Sequence, residues 1–225
     1  MKFTPNLTRN EQKYGFIALV LSMVVLPGLL VFALPGASTA RLNFINYFIF
    51  AAVAVYVLRG FLTRNLAAAL RSPFLTLYYA ALGYLAHTVL SELSAMLIYT
   101  FSNHYVNLND QNIVSQIGDE MRLMLVTTVI LAPIAEECLF RGLLFRGLYD
   151  RSPAAAWILS AVLFSAVHVV GFIGVYAPLT LALAFIQYLP AGVALCFAYQ
   201  RGGSIFSPIL THAIINLMAF YSVTR

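Results

Sequence analysis

Long apolar stretches, each closed by a short polar or glycine- and proline-bearing break, recur along this chain from end to end. They run over about Tyr14–Leu34, Leu42–Leu58, Pro73–Tyr99, Leu123–Tyr149, Pro153–Val170, Tyr176–Tyr199 and Ser204–Val223. A helix needs roughly 20 apolar residues to cross a bilayer core, and these runs are of that order. The pattern predicts an all-α fold: a polytopic membrane helix bundle of about seven transmembrane helices, within a range of 6–8 if a re-entrant segment is added or one run fails to span. Residues 1–225 read as a single integral membrane domain, without repeats or low-complexity segments. Between the second and third runs, "RGFLTRNLAAALRS" reads as a short basic helix lying at the interface. Residues 102–120 are the one long polar connection, rich in the asparagines that favour turns, with room for an amphipathic turn or two. Residues 152–200 carry no charged side chain, and Gly171 and Gly174 divide them into two spans.

Composition confirms the solvent. The chain is 61% hydrophobic and 9% charged, whereas soluble domains carry about a quarter charged residues. The formal charge of +5 would suggest nucleic acid in a soluble protein. In a membrane protein it reflects the positive-inside bias, so the expected surroundings are a lipid bilayer and no nucleic acid. With the N-terminus inside, Lys2, Arg9, Lys13, Arg59, Arg64, Arg71, Arg146, Arg151 and Arg201 fall on the cytoplasmic side. Arg41, Arg122 and Arg225 fall outside, and Arg141 lies within a span. The expectation is therefore an integral protein of the plasma membrane, N-terminus inside. A secretory signal peptide fits less well, because the run Tyr14–Leu34 is longer than a secretory h-region. Cys138 and Cys196 both sit in apolar runs and read as small fillers, with no zinc or disulfide spacing.

Three of the eight acids lie in spans: Glu92, Glu136 and Glu137. An ionised group near the bilayer centre costs about 2.5–3.5 kcal/mol on insertion scales, so each is a candidate for function. Glu137 and Arg141 are four residues apart with the acid N-terminal, the favourable order for a helical ion pair. Glu136 points about 140° away from Arg141 without a local counter-charge, and burial beside a second acid disfavours its ionisation, the setting of a useful general base. A purely structural reading, a Glu–Arg pair joining helices, stays open on this segment alone. Two histidines also lie deep in apolar spans: "FSAVH" sets Phe164 four residues before His168, and "HAIIN" sets His212 four residues before Asn216. Each could serve as interhelical glue. At 1.5 Å per residue from the anchors Tyr149, Trp157 and Ser204, Glu136, His168, His212 and Asn216 all fall near one level, roughly mid-membrane.

These segments resemble a known family. "APIAEECLFRGLLF" is similar to the EExxxR motif of the CAAX-protease and bacteriocin-processing (CPBP or Abi) proteins, "VLFSAVH" to their FxxxH motif, and "GSIFSPILTHAIIN" to their HxxxN motif. The three occur in family order on separate apolar segments, within a motif-bearing core of about residues 121–223. The resemblance implies an intramembrane endopeptidase of the glutamate type acting on a peptide or protein in or at the membrane. By that analogy Glu136 activates water with help from His168, and His212 and Asn216 hold the oxyanion. Glu137 and Arg141 form the supporting pair, and Phe164 packs. No metal or other cofactor is implied.

Other readings compete. Glu136, His168 and His212 could ligate zinc, although HExxH is absent and Asn216 is a poor zinc ligand. Cys138 is a weak nucleophile candidate among carboxylates and apolar side chains. A non-catalytic membrane partner, acting in immunity to a bacteriocin system or on a sensor kinase, belongs to another class and would retain the same motifs. A proton-coupled transporter draws some support from His87 and Glu92, which read more simply as interhelical hydrogen-bond partners.

Overall fold

Residues Met121–Tyr149 form the helix around which the others pack, in the computed structural model of the chain. The structure describes residues 7–102, 105, 107, 108, 111 and 120–224. Most of the connection 102–120 with its expected turns, His104, Lys2 and Arg225 lie outside the described residues. Nine helices are present among the described residues: α1 (Arg9–Val24), α2 (Leu26–Ala33), α3 (Thr39–Val57), α4 (Arg59–Arg71), α5 (Pro73–Phe101), α6 (Met121–Tyr149), α7 (Pro153–Val170), α8 (Pro178–Gly202) and α9 (Phe206–Val223). Six of them, α3 and α5 to α9, are long and apolar enough to cross a membrane.

The first expected span, Tyr14–Leu34, is a bent pair of helices rather than one continuous helix. α1 and α2 meet at Val25 with a bend of 43°. Pro27 lies in the first turn of α2, where its ring can neither donate to the preceding turn nor allow that turn to continue. The basic segment after the second run forms α4, as its pattern predicts. Its Asn65 accepts from the backbone N–H of Ile205 at 3.0 Å, fixing α4 beneath the start of α9. Arg64 pairs with Glu11 at 2.6 Å and joins α4 to α1. The break between α7 and α8 falls at Gly171 and Gly174, the latter at φ +85°, a conformation that side chains with a Cβ avoid.

Burial identifies α6 as the centre: 56% of its apolar window is buried, against 11% for α5. Its Cys138, Leu139, Phe140, Leu143 and Phe145 pack with Leu19, Phe50, Phe61, Phe164 and Leu195 from five neighbouring helices. Two stretches of α6, Thr127–Leu131 and Cys138–Phe145, widen into π-helix. Such turns weaken the regular backbone ladder, and side chains of neighbouring helices bond their carbonyls. Asn216 Nδ2 donates to Thr128 O at 2.7 Å, and Ser160 Oγ donates to Phe140 O at 3.0 Å. Pro190 inside α8 likewise leaves the Ile186 carbonyl without its helical donor, and Ser94 of α5 supplies one at 3.1 Å. α7 and α8 approach closely at Gly192, where a Cβ would meet the backbone of Ala161 at 2.9 Å.

Successive spans alternate in direction, so the bundle has two unlike ends. One carries Arg59, Arg64, Arg71, Arg146, Arg151 and Arg201; the other carries Arg41, which is paired with Glu120 at 2.6 Å, and Arg122. By the positive-inside bias the arginine-rich end is expected in the cytoplasm. In a background with Cys138 and Cys196 changed to alanine, an impermeant maleimide added to whole cells is expected to label Asn107→Cys and not Ser152→Cys. Labelling of residue 152 alone would invert the orientation.

Candidate active site

The α-helical stretch Ala132–Glu137 lies between the two π segments of α6 and presents its adjacent acids in different directions. Glu137 is fully buried and serves two partners through one oxygen: Arg141 donates to Oε1 at 3.0 Å and His212 Nδ1 lies 2.9 Å from it. Arg141, equally buried, also donates to the carbonyl of Gly192 at 3.0 Å. Its guanidinium stacks over the ring of Phe164 at 4.5 Å. The expected Glu137–Arg141 pair is therefore present, and the structure adds a third member, His212.

Glu136 turns towards a cavity of about 800 Å³. Its Oε1 accepts from the hydroxyl of Tyr47 on α3 at 2.7 Å. Its Oε2 is buried without a hydrogen-bond partner among the described residues and lies 3.9 Å from Nε2 of both His168 and His212. Each imidazole has its other nitrogen occupied. His168 Nδ1 is 2.7 Å from the Phe164 carbonyl, which can only accept, so that nitrogen carries the proton. His212 Nδ1 donates to Glu137 by the same reasoning. With Nδ1 so committed, both rings present Nε2 to Glu136. At 3.9 Å from Oε2 each Nε2 is beyond direct hydrogen bonding and near enough for a shared water to bridge the pair.

The donor set of one carboxylate and two imidazoles suits zinc chemically, but zinc bonds of about 2.0–2.2 Å in a tetrahedron bring ligand atoms to about 3.3–3.6 Å of one another. The 3.9 Å spacing is wider than that. Among the described residues no group of three His, Cys, Asp or Glu is placed to hold a metal ion.

The structure brings Glu136, His168 and His212 together. Asn216 lines the same cavity, with one amide hydrogen committed to Thr128. Phe164 does more than pack: besides the guanidinium, its ring meets His168 at 4.6 Å and His212 at 5.6 Å. His87 and Glu92 also line the cavity, but His87 contacts Ser91 of its own helix, and Glu92 is not its partner. Two contributors escaped the sequence reading. Tyr188 stacks on His168 at 4.5 Å, and Tyr47 holds Glu136. Asn43 and Tyr47, four residues apart in an apolar run and both facing the cavity, carry the same helical spacing that drew attention to His168 and His212.

The three motifs lie on α6, α7 and α9, and their side chains meet. Residues 119–218 match the Rce1-like family of type II CAAX prenyl endopeptidases. Over 95 residues the chain is 33% identical to the protein named Putative membrane peptidase YdiL of Bacillus subtilis (strain 168), covering 42% of this chain and 34% of that one. Over 93 residues it is 30% identical to UPF0177 protein YbdI of Lactococcus lactis subsp. lactis (strain IL1403), covering 41% of this chain and 45% of that one. The chain thus spans less than half the length of either relative. No solved structure matches it. The family match covers the whole of α6 to α8 and most of α9, and stops short of Tyr47, Glu92 and every other contribution from α1 to α5.

The site also makes an expectation about folding. Glu137→Gln leaves Arg141 as a buried charge without its counter-ion and is expected to destabilise by about 3–5 kcal/mol. Glu136→Gln removes a carboxylate that neutralises nothing and keeps an acceptor for Tyr47. Thermal unfolding of the two variants in detergent should therefore show a large loss for Glu137→Gln and a small one for Glu136→Gln; equal losses would contradict the division between them.

Proposed function

We propose that the chain is an intramembrane endopeptidase of the glutamate type, seated in the plasma membrane with its N-terminus inside. It hydrolyses a peptide bond of a membrane-associated peptide or protein. The observation that carries this reading is the buried, unpartnered Oε2 of Glu136, facing two imidazole nitrogens at 3.9 Å in a cavity large enough for a peptide segment. The similarity of residues 119–218 to a family of membrane endopeptidases supports the same reaction class.

In the proposed reaction Glu136 Oε2 removes a proton from water while the water oxygen bonds to the scissile carbonyl carbon. His168 Nε2 accepts the second water proton as a hydrogen bond and fixes the direction of attack. Electrons of the C=O bond move onto its oxygen. His212, held at Nδ1 by Glu137, donates to that oxyanion through Nε2 when protonated, and Asn216 donates through its second amide hydrogen. The proton on Glu136 then passes to the amide nitrogen as the C–N bond breaks, restoring the carboxylate and releasing an acid and an amine. Donors fixed in a dry site contribute several kcal/mol to such a barrier. Tyr47 keeps Glu136 from rotating and so preserves the aim of Oε2.

The test is cleavage by purified protein in lipid nanodiscs. Glu136→Gln is expected to abolish turnover. Asn216→Ala should slow it by about 10²–10³ while substrate affinity changes far less, as for a lost oxyanion donor. Prolonged chelation should leave the rate intact. If Glu136, His168 and His212 instead hold zinc, the metal would supply Lewis-acid polarisation. One zinc per chain, with chelator-reversible loss of cleavage, would replace the metal-free reading. Wild-type rates from Glu136→Gln would remove Glu136 from the reaction, and intact binding of a bacteriocin-system protein or sensor kinase without any cleavage would favour the scaffold.

A further inference from the structure

Glu92 is the intramembrane acid for which the proposed reaction has no use. It lies in the C-terminal half of α5, 19 residues from its start at Pro73, is exposed, and forms no hydrogen bond or ion pair with a described residue. The segment 103–119 contains no lysine or arginine, so that connection holds no permanent cation for it either. An uncompensated carboxylate within a span costs about 2.5–3.5 kcal/mol and is retained where a cavity or a ligand supports it.

The cavity supplies the support. Glu92 lies on its wall between His87 and Tyr99, and Glu136 lies on the same lining. Among the described residues no lysine or arginine lines the cavity, whereas two carboxylates do. The cavity occupies the half of the bundle away from the arginine-rich end, reaching Tyr105 and Asn107 of the polar connection and Ser222 near the end of α9. A peptide entering there passes Glu92 on its way to Glu136 and meets negative charge without a permanent positive one. A free C-terminal carboxylate or an acidic side chain would be desolvated against like charge, while a lysine or arginine side chain would find its counter-ion.

Resting on the endopeptidase reading, we infer that Glu92 is a subsite for a basic side chain, so that the substrate is a cationic peptide segment cut at an internal bond. Glu92 acts in binding and specificity, and takes no part in proton transfer.

The test separates binding from cleavage. Glu136→Gln protein in phosphatidylcholine nanodiscs is mixed with dye-labelled, C-terminally amidated peptides of one apolar sequence. A single Lys, Gln or Glu is scanned through their central positions, and empty discs give the background. Lysine at one or two adjacent positions is expected to tighten binding at least about fivefold over glutamine, the scale of a pair worth about 1 kcal/mol, and glutamate to weaken it. Glu92→Gln added to this protein should abolish the discrimination, and Glu92→Lys should reverse it in favour of glutamate; size-exclusion profiles check that both variants fold. The same peptides are then given to protein retaining Glu136, which should cut at a fixed distance from the lysine. Equal affinities for the three peptides, no binding of any, or a lysine preference that survives Glu92→Gln would overturn the subsite. Charge-dependent binding without cleavage would instead overturn the endopeptidase and leave the subsite standing, and cleavage without charge preference would do the reverse.

Discussion

One carboxylate oxygen, Oε1 of Glu137, organises the centre of this bundle. It receives Arg141 from its own helix and His212 from α9. Arg141 in turn reaches the Gly192 carbonyl of α8 and lies on the Phe164 ring of α7. Four helices therefore converge on a single buried ion pair. Such a pair adds little stability compared with well-packed apolar residues, but breaking it leaves an uncompensated charge with no water to receive it. It ties the register of α6, α7, α8 and α9 together, because groups from all four meet at this charge.

That arrangement leaves the neighbouring acid available. Because Arg141 is neutralised by Glu137, Glu136 faces no arginine, and Tyr47 occupies one of its oxygens. The other oxygen meets two imidazoles whose orientations are set from behind, one by the Phe164 carbonyl and one by Glu137 itself. Phe164, Glu137 and Tyr47 thus fix the groups that the proposed reaction uses without meeting the reacting atoms. The π segments on either side of Ala132–Glu137 belong to the same design. Asn216, a proposed oxyanion donor, is itself positioned by the Thr128 carbonyl in one of them.

Much of this was legible in the sequence, for physical reasons. Membrane spans announce themselves through length and composition, and charges inside them are scarce enough to be conspicuous, so Glu136, Glu137, Arg141, His168 and His212 stood out. The i, i+4 spacing of Glu137 and Arg141 predicted their pair because both sit on one helix. The third partner, His212, comes from a helix 75 residues away, and local spacing carries no information about that contact. Tyr47 was missed because a tyrosine in an apolar run is common, and its role depends on α3 packing against α6. The bend at Val25 could have been read from Pro27, but a run of 21 uncharged residues masks a break that costs it no hydrophobicity. The π segments leave no mark on hydrophobic periodicity over so short a length.

The central claim is that Glu137 performs two separable tasks, balancing Arg141 and aiming His212. A double-mutant cycle tests it most directly: thermal stability and peptide turnover are measured for the wild type, Glu137→Gln, Arg141→Met and the two combined. With both charges removed there is no orphaned ion, so the combined variant should recover much of the stability that Glu137→Gln loses, while turnover stays low because His212 still lacks its carboxylate. A combined variant as unstable as Glu137→Gln, or one that regains turnover along with stability, would contradict the account.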